Sequence, residues 1–313
     1  MGKLAFFAFL CIKNSLYLYN CSNFARVLKY DIGMQVINTI DELRNFLQAE
    51  RLEGKTIGLV PTMGALHEGH ASLVRRSVAE NDVTVVSIFL NPTQFNDPKD
   101  LERYPRTLES DCAILEECGA QVAFAPCVSE IYPEPDTRKF SYPPTDSVME
   151  GARRPGHFNG VCQIVSKLFE MTEPDRAYFG EKDYQQIAVI RRMVDDIGFR
   201  VEIVPCPVIR ETSGLAMSSR NTLLTQEEKC IAPNIYRILT ESKSLGLNIQ
   251  ETQDWVQKQI NNISGLEVEY YSIVDGDTLA DISDWSDAQS VVGCITVYCG
   301  KTPIRLIDHI RYK

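Results

Sequence analysis

The stretch Thr56-Ile57-Gly58-Leu59-Val60-Pro61-Thr62-Met63-Gly64-Ala65-Leu66-His67-Glu68-Gly69-His70 changes character twice within fifteen residues. It begins as a continuous apolar run, passes through a Pro/Gly turn, and ends as the start of a helical pattern that reaches Glu80. A strand at 56–60 that is apolar on both faces must be covered on both, which is the habit of parallel sheets. The same alternation recurs along the chain. Strands are predicted at 83–89, 121–125, 176–179 and 201–204, and helices at about 68–80, 107–118, 158–171 and 184–196. This pattern implies a doubly wound, Rossmann-like parallel α/β sheet, with ligands bound at the carboxyl ends of the strands. Five prolines in 125–144 predict a long loop. Beyond Arg210 the pattern shifts. Thr225-Gln226-Glu227-Glu228 reads as a capping box opening a helix, a second helix covers about 252–263, and strands follow at 268–274 and 290–298. The expected organisation is an α/β domain over 34–208 and a smaller α+β domain over 209–313 that closes over the site.

At 313 residues with 44% hydrophobic and 24% charged side chains, the chain has the composition of an ordinary globular protein. Its net charge of −10 disfavours a nucleic-acid partner, so any phosphate site must be a local basic pocket. Ten cysteines are scattered without a CxxC pair, and only four histidines are present, a distribution expected of reduced thiols in the cytoplasm and not of a zinc site or disulfide framework. Residues 1–33 stand apart. The run Leu4-Ala5-Phe6-Phe7-Ala8-Phe9-Leu10-Cys11-Ile12 is too short to span a membrane, and no small-x-small cleavage site follows it. Met34-Gln35-Val36-Ile37 reads as a fresh start, so the extension is expected to be a misassigned start and the protein cytoplasmic.

Four constellations could carry chemistry. His67 and His70 lie three residues apart at the opening of the first helix, on one face and beside its positive dipole end, where anions are favoured. Gly64 and Gly69 are expected to let a ligand approach the backbone. Gln94, in Asn91-Pro92-Thr93-Gln94, follows the second strand and can both donate and accept, which suits a hydroxy acid. In Gly180-Glu181-Lys182-Asp183-Tyr184-Gln185-Gln186 another strand passes into a helix: Lys182 can neutralise phosphate, Asp183 can accept from ribose or hold a metal, and Gln186 lies one turn on. Met217-Ser218-Ser219-Arg220-Asn221 joins two hydroxyls to an arginine, a phosphate clamp on a hinge loop. Each taken singly is also an ordinary turn or solvated helix start. Gly300-Lys301-Thr302 imitates the end of a P-loop but follows an apolar strand, with no helix after it.

Together, the His67/His70 pair and the later Met217-Ser218-Ser219-Arg220 resemble the HIGH and KMSKS elements of the nucleotidylyl-transferase and class I aminoacyl-tRNA synthetase superfamily. Six ordered motifs narrow this: Val60-Pro61-Thr62-Met63-Gly64, Ser87-Ile88-Phe89-Leu90-Asn91-Pro92, Tyr104-Pro105-Arg106-Thr107, Arg154-Pro155-Gly156-His157-Phe158, Phe179-Gly180-Glu181-Lys182-Asp183 and Ser218-Ser219-Arg220-Asn221. From about Met34 onward the chain closely resembles the pantoate-beta-alanine ligase family. The resemblance implies that pantoate and ATP form pantoyl adenylate and pyrophosphate, and that beta-alanine then displaces AMP. It implies His70 as proton donor, with His67, Lys182 and Arg220 as further catalytic groups. Met63, Gly64, Ala65, Leu66, His67, Glu68, Gly69, His70, Gly180, Glu181, Lys182, Asp183, Ile209, Met217, Ser218, Ser219 and Arg220 are implied at ATP, Gln94 and Gln186 at pantoate, and Gln94 at beta-alanine. Mg2+ accompanying ATP, a homodimer and a cytoplasmic setting without membrane are implied as well; the metal ligands are left open. Another adenylyl transferase of the superfamily would share the histidines and the serine clamp but not the paired glutamines. A nucleotide-binding regulator would bind ATP without releasing pyrophosphate.

Overall fold

The computed structural model describes residues 33–96 and 98–313. The reading of the N-terminal extension, including Cys11 and Cys21, lies outside the described residues. Residues Val36–Lys313 form one compact unit. Its larger sheet contains β1 (Gln35–Ile37), β2 (Ile57–Thr62), β3 (Val83–Ile88), β4 (Val122–Phe124), β5 (Arg176–Gly180) and β6 (Glu202–Cys206), in the order β1-β4-β3-β2-β5-β6. Every pairing from β4 through β6 is parallel. Val83, Val85 and Val86 are at most 2% exposed, as required of a strand covered on both faces. The helices that cover the sheet are α1 (Ile40–Leu52), α2 (Glu68–Glu80), α3 (Pro98–Arg103), α4 (Leu108–Cys118), α5 (Val128–Ile131), α6 (Met149–Arg153), α7 (His157–Thr172) and α8 (Tyr184–Ile197). Helix α2 has the expected bounds, and α4 stops at Gly119, whose left-handed backbone (φ +83°) caps it. The 125–144 stretch is a loop apart from the single turn of α5.

The order of the strands decides where a ligand can sit. From β2 the chain winds one way through β3 to β4, then returns to lay β5 against the other side of β2. The crevice at the carboxyl ends of β2 and β5 is therefore the topological switch point, the place where open α/β sheets bind ligands.

The C-terminal part holds α9 (Gln226–Ile231), α10 (Asn234–Ser242), α11 (Ile249–Asn261) and an antiparallel sheet, β7 (Leu266–Asp275), β8 (Val291–Cys299) and β9 (Ile304–Arg311). Thr225 and Glu228 form the expected capping box, and a second box, Asn248 with Glu251, starts α11 three residues earlier than expected. Strand β9 and helix α10 carried no recognised signal. The polar residues of β9 explain the first omission: Arg305, Asp308 and Arg311 pair with Glu150, Arg210 and Glu181, all distant in the chain. Gly300-Lys301-Thr302 lies in the turn between β8 and β9.

The larger sheet and the C-terminal sheet have separate hydrophobic cores, joined by a cluster of Met149, Ala188, Val274, Leu279, Val292 and Cys294. At this seam, buried Glu150 accepts hydrogen bonds from Tyr270 Oη (2.8 Å), Thr296 Oγ1 (2.8 Å) and both terminal nitrogens of Arg305 (2.6 and 2.7 Å). One carboxylate on α6 thus engages all three strands of the small sheet. Eight cysteines fall within the described residues, all free thiols.

Candidate active site

Helix α2 begins at the switch point with an unusual capping box. His67 is the N-cap, in extended conformation, and its Nδ1 accepts from Gly69 N–H at 3.1 Å; His70 Nδ1 accepts from His67 N–H at 3.4 Å. Two imidazoles do here what Ser and Glu do in an ordinary box. Their ring centroids are 4.1 Å apart. Because each Nδ1 is an acceptor, each neutral ring carries its hydrogen on Nε2. Burial, then the nearby charge of Lys182, depresses the His67 pKa to about 4 against a smaller opposing effect of Asp183. Burial, His67 and Lys182 bring His70 to about 3. At neutral pH the site therefore presents two uncharged N–H donors beside a lysine.

The two glycines are also required by the protein's own packing. A side chain at Gly64 (φ +79°) would meet Asp111 Oδ2 at 3.0 Å, and one at Gly69 would meet the His67 ring at 2.8 Å. The space at each is already filled by these groups.

Lys182 lies in the 3-10 turn Glu181–Asp183 after β5, its Nζ 3.2 Å from Asp183 Oδ1. The serine motif forms a second turn, Ser219–Leu223, capped by Ser218, which accepts from Arg220 N–H. Ser219 Oγ donates to Ala65 carbonyl at 3.1 Å and accepts from Tyr104 Oη at 3.5 Å, tying this turn to the histidine turn more than 150 residues earlier. Arg220 pairs with Asp100 at 2.9 Å, and Met217 N–H donates to Ile209 carbonyl at 3.0 Å. Lys182, Asp183, Ser218, Ser219, Arg220 and Arg154 share the wall of a cleft of about 1140 Å³.

Gln186 lines a small adjoining chamber of about 50 Å³ together with Lys182, Arg154 and His157. Gln94 is not on the wall of either cavity, nor are His67 and His70. Gln94 instead accepts from Asn91 Nδ2 (3.1 Å) and places its Nε2 3.1 Å from Met63 Sδ, so it is held against the histidine turn. Its backbone carbonyl accepts from His157 Nδ1–H at 2.9 Å and from Arg154 at 3.4 Å. The Pro92–Gln94 turn sits so close to α7 that a side chain at Gly160 would come within 2.4 Å of Thr93 carbonyl. The carboxylates of Glu68 and Glu181 are engaged by Arg75 and Arg311. Three contributors went unnoticed in the sequence: Asp111 beneath the histidine turn, Glu150 at the seam, and the Arg154/His157 pair behind Gln94. The last belongs to a quoted motif; Asp111 and Glu150 carry no local signal, since each is one acidic residue in an amphipathic helix.

Known proteins show the same plan. The family model described as pantoate-beta-alanine ligase matches residues 35–311. A pantothenate synthetase of Bacteroides thetaiotaomicron is 60% identical over 282 residues, 90% of this chain and 99% of its own. That of Porphyromonas gingivalis is 57% identical, over 90% and 100% respectively. Among solved structures, pantothenate synthetase from Thermus thermophilus superposes with a TM-score of 0.83 at 42% identity, covering 89% of this chain and 99% of that one. A pantoate-beta-alanine ligase from Francisella tularensis, complexed with beta-gamma ATP and beta-alanine, superposes with a TM-score of 0.75 at 35% identity, covering 89% and 98%. With the family model spanning both sheets and relatives matched over nearly their full length, the chain belongs to the pantoate-beta-alanine ligase family.

Proposed function

We propose that this protein joins pantoate to beta-alanine at the expense of ATP, through an enzyme-held pantoyl adenylate. The reading rests on one observation above all: in a chain of this family, the His67/His70 turn, Lys182 and the Ser218–Arg220 turn converge at the β2/β5 switch point. The Francisella relative complexed with beta-gamma ATP and beta-alanine supports the same substrates here.

In the first step a pantoate carboxylate oxygen attacks the α-phosphorus and pyrophosphate departs; in the second the beta-alanine amine attacks the acyl carbon and AMP departs. The obstacle in the first is charge, an anion approaching a polyanion, so catalysis falls to preorganised donors. His67 and His70 offer Nε2–H to phosphate oxygens without adding positive charge, and the proton-donor role assigned to His70 is read here as that of a neutral hydrogen-bond donor. Lys182 and Arg220, which line the same cleft, would supply positive charge to the phosphates, with Ser218 and Ser219 as hydroxyl donors. Met63 to His70, Gly180 to Asp183, Ile209 and Met217 are assigned to ATP, Gln94 and Gln186 to pantoate, and Gln94 also to beta-alanine. Mg2+ is proposed to enter with the nucleotide. Among the described residues no group of three or more His, Cys, Asp or Glu could hold a metal, so the phosphates would supply most of its ligands, with Asp183 the acidic side chain beside Lys182.

We assign residues 34–208 and 209–313 to two domains, the second closing over the adenylate to keep water from it. A cytoplasmic homodimer is proposed on the family relationship. Among the described residues no helix is long and apolar enough to cross a membrane, and the net charge of −10 argues against nucleic acid as a partner. The test is pyrophosphate release by purified protein with ATP and Mg2+. Release dependent on pantoate, with AMP and sustained turnover once beta-alanine is added, is the expected result; release independent of pantoate, or none, would remove the assignment.

A further inference from the structure

The turn between β2 and α2 is held in place from behind. Gly64 and Ala65 both adopt left-handed backbone, φ +79° and +51°. For alanine this conformation persists only where the surroundings impose it. The imposing group is Asp111 on α4: its Oδ2 accepts from Ala65 N–H at 3.0 Å, and its Oδ1 from Leu66 N–H at 2.8 Å. Thr107 Oγ1 lies 3.2 Å from both oxygens and donates to the carboxylate from the other side. Asp111 is 1% exposed, and among the described residues no Lys, Arg or His forms an ion pair with it. A buried carboxylate without a cation is costly unless hydrogen bonds satisfy it. Two backbone donors and a hydroxyl do so here, and the two backbone donors are the pair immediately before His67.

Drawing both N–H groups backward has a consequence at the front of the turn. It leaves Ala65 carbonyl free to receive Ser219 Oγ, and it sets the entry angle of the chain into the His67/His70 box. One carboxylate therefore aims both the imidazoles and the anchor of the serine turn. From this we infer that Asp111 is a positioning residue for the adenylation step: its two acceptor oxygens hold the histidine turn in register with the Ser218–Arg220 turn. The inference rests on the function proposed above. Asparagine has the same shape but only one acceptor oxygen, and its NH2 would face a backbone N–H, donor against donor. The strained turn then loses one of its two ties, and a displacement of about 1 Å is enough to cost on the order of 100-fold in rate.

The experiment is a rapid-quench measurement of pantoyl adenylate formation by wild type and Asp111→Asn, without beta-alanine. Burst amplitude counts folded, competent sites and burst rate reports their geometry. Asp111→Asn is expected to keep most of the amplitude, to change the apparent affinity for pantoate by less than about threefold, and to lower the burst rate by on the order of 10- to 100-fold. A wild-type rate per active site overturns the inference whatever the amplitude, because a merely structural role would reduce the number of competent sites and not their speed. If the asparagine variant does not fold, Thr107→Val replaces it, with a several-fold slower burst expected and a wild-type burst again overturning the idea. The ring resonances of His67 and His70, compared between wild type and variant, provide a readout apart from activity. They are expected to shift, and unchanged signals count against the inference. Absence of a burst in the wild type would instead sink the proposed reaction, and the histidine resonances alone would then decide the role of Asp111.

Discussion

Arg305→Met is expected to destabilise the attachment of the C-terminal sheet by about 3 kcal/mol. Glu150 is only 8% exposed, and burial by itself would raise its pKa; the bidentate Arg305, with Tyr270 and Thr296, reverses this and holds it at about 2, against an ordinary 4.5. At about 1.4 kcal/mol per unit, that difference is worth about 3 kcal/mol. Removing one partner of a buried pair costs a similar amount, about 3–5 kcal/mol, because the remaining charge is stranded. Since the folded-state pKa is depressed, this stability is present above about pH 4.5 and is lost as the pH falls towards 2. The chain contains two tryptophans, Trp255 and Trp285, and both pack against the C-terminal core, so urea denaturation followed by tryptophan fluorescence reads this region selectively. Glu150→Gln combined with Arg305→Met should recover part of the loss at pH 7, since the most deeply buried carboxylate is no longer stranded, although Arg154 and Glu269 each lose a partner. The difference between wild type and the double variant should be flat above about pH 5.5 and shrink below 4.5. An Arg305→Met midpoint equal to wild type, or a double variant no better than the single one, would refute the reasoning.

The site makes further predictions. His70→Ala and Lys182→Ala should each cut turnover by on the order of 100-fold, the usual loss for one transition-state donor, with little change in urea midpoint; near-normal kcat removes that residue from the mechanism. With His67 and His70 neutral down to about pH 4 and 3, kcat/KM should show no acid limb from these groups between pH 8 and 5, and should fall as the rings gain protons below about 4. A limb centred near 6.5 would mean the imidazoles are solvated and ordinary. Gly160→Ala drives a methyl to 2.4 Å from Thr93 carbonyl and 2.8 Å from Gln94 Cα, an overpacking of about 1–3 kcal/mol. If the turn carrying Gln94 absorbs it, the KM for pantoate rises roughly tenfold; an unchanged KM would detach Gln94 from the pantoate site.

Much of this was legible because it is local. A continuous apolar run such as Val83-Thr84-Val85-Val86 can be satisfied only between two covering layers, and a helix announces its ends through caps within four residues, as at Thr225 and Glu228. The histidine turn, Lys182 and the serine turn were visible as motifs at strand ends, so their approach to one crevice followed from the class of fold. Strand β9 was missed because its charged residues have partners 36 to 155 residues away, and no short window of sequence contains both members of such a pair.

By itself, then, the sequence determined the alternation of strands and helices, the chemistry available at the strand ends and the membership of the family. Only the tertiary structure decided which N–H groups the imidazoles accept from, and hence that each presents Nε2–H. It also decided that the space at Gly64 and Gly69 belongs to Asp111 and His67, and that Glu150 fastens one sheet to the other. The physical reason is the same in each case. Burial raises the cost of an unpaired polar group, and the group that satisfies it is chosen by proximity in space, which residues far apart in the chain acquire only on folding.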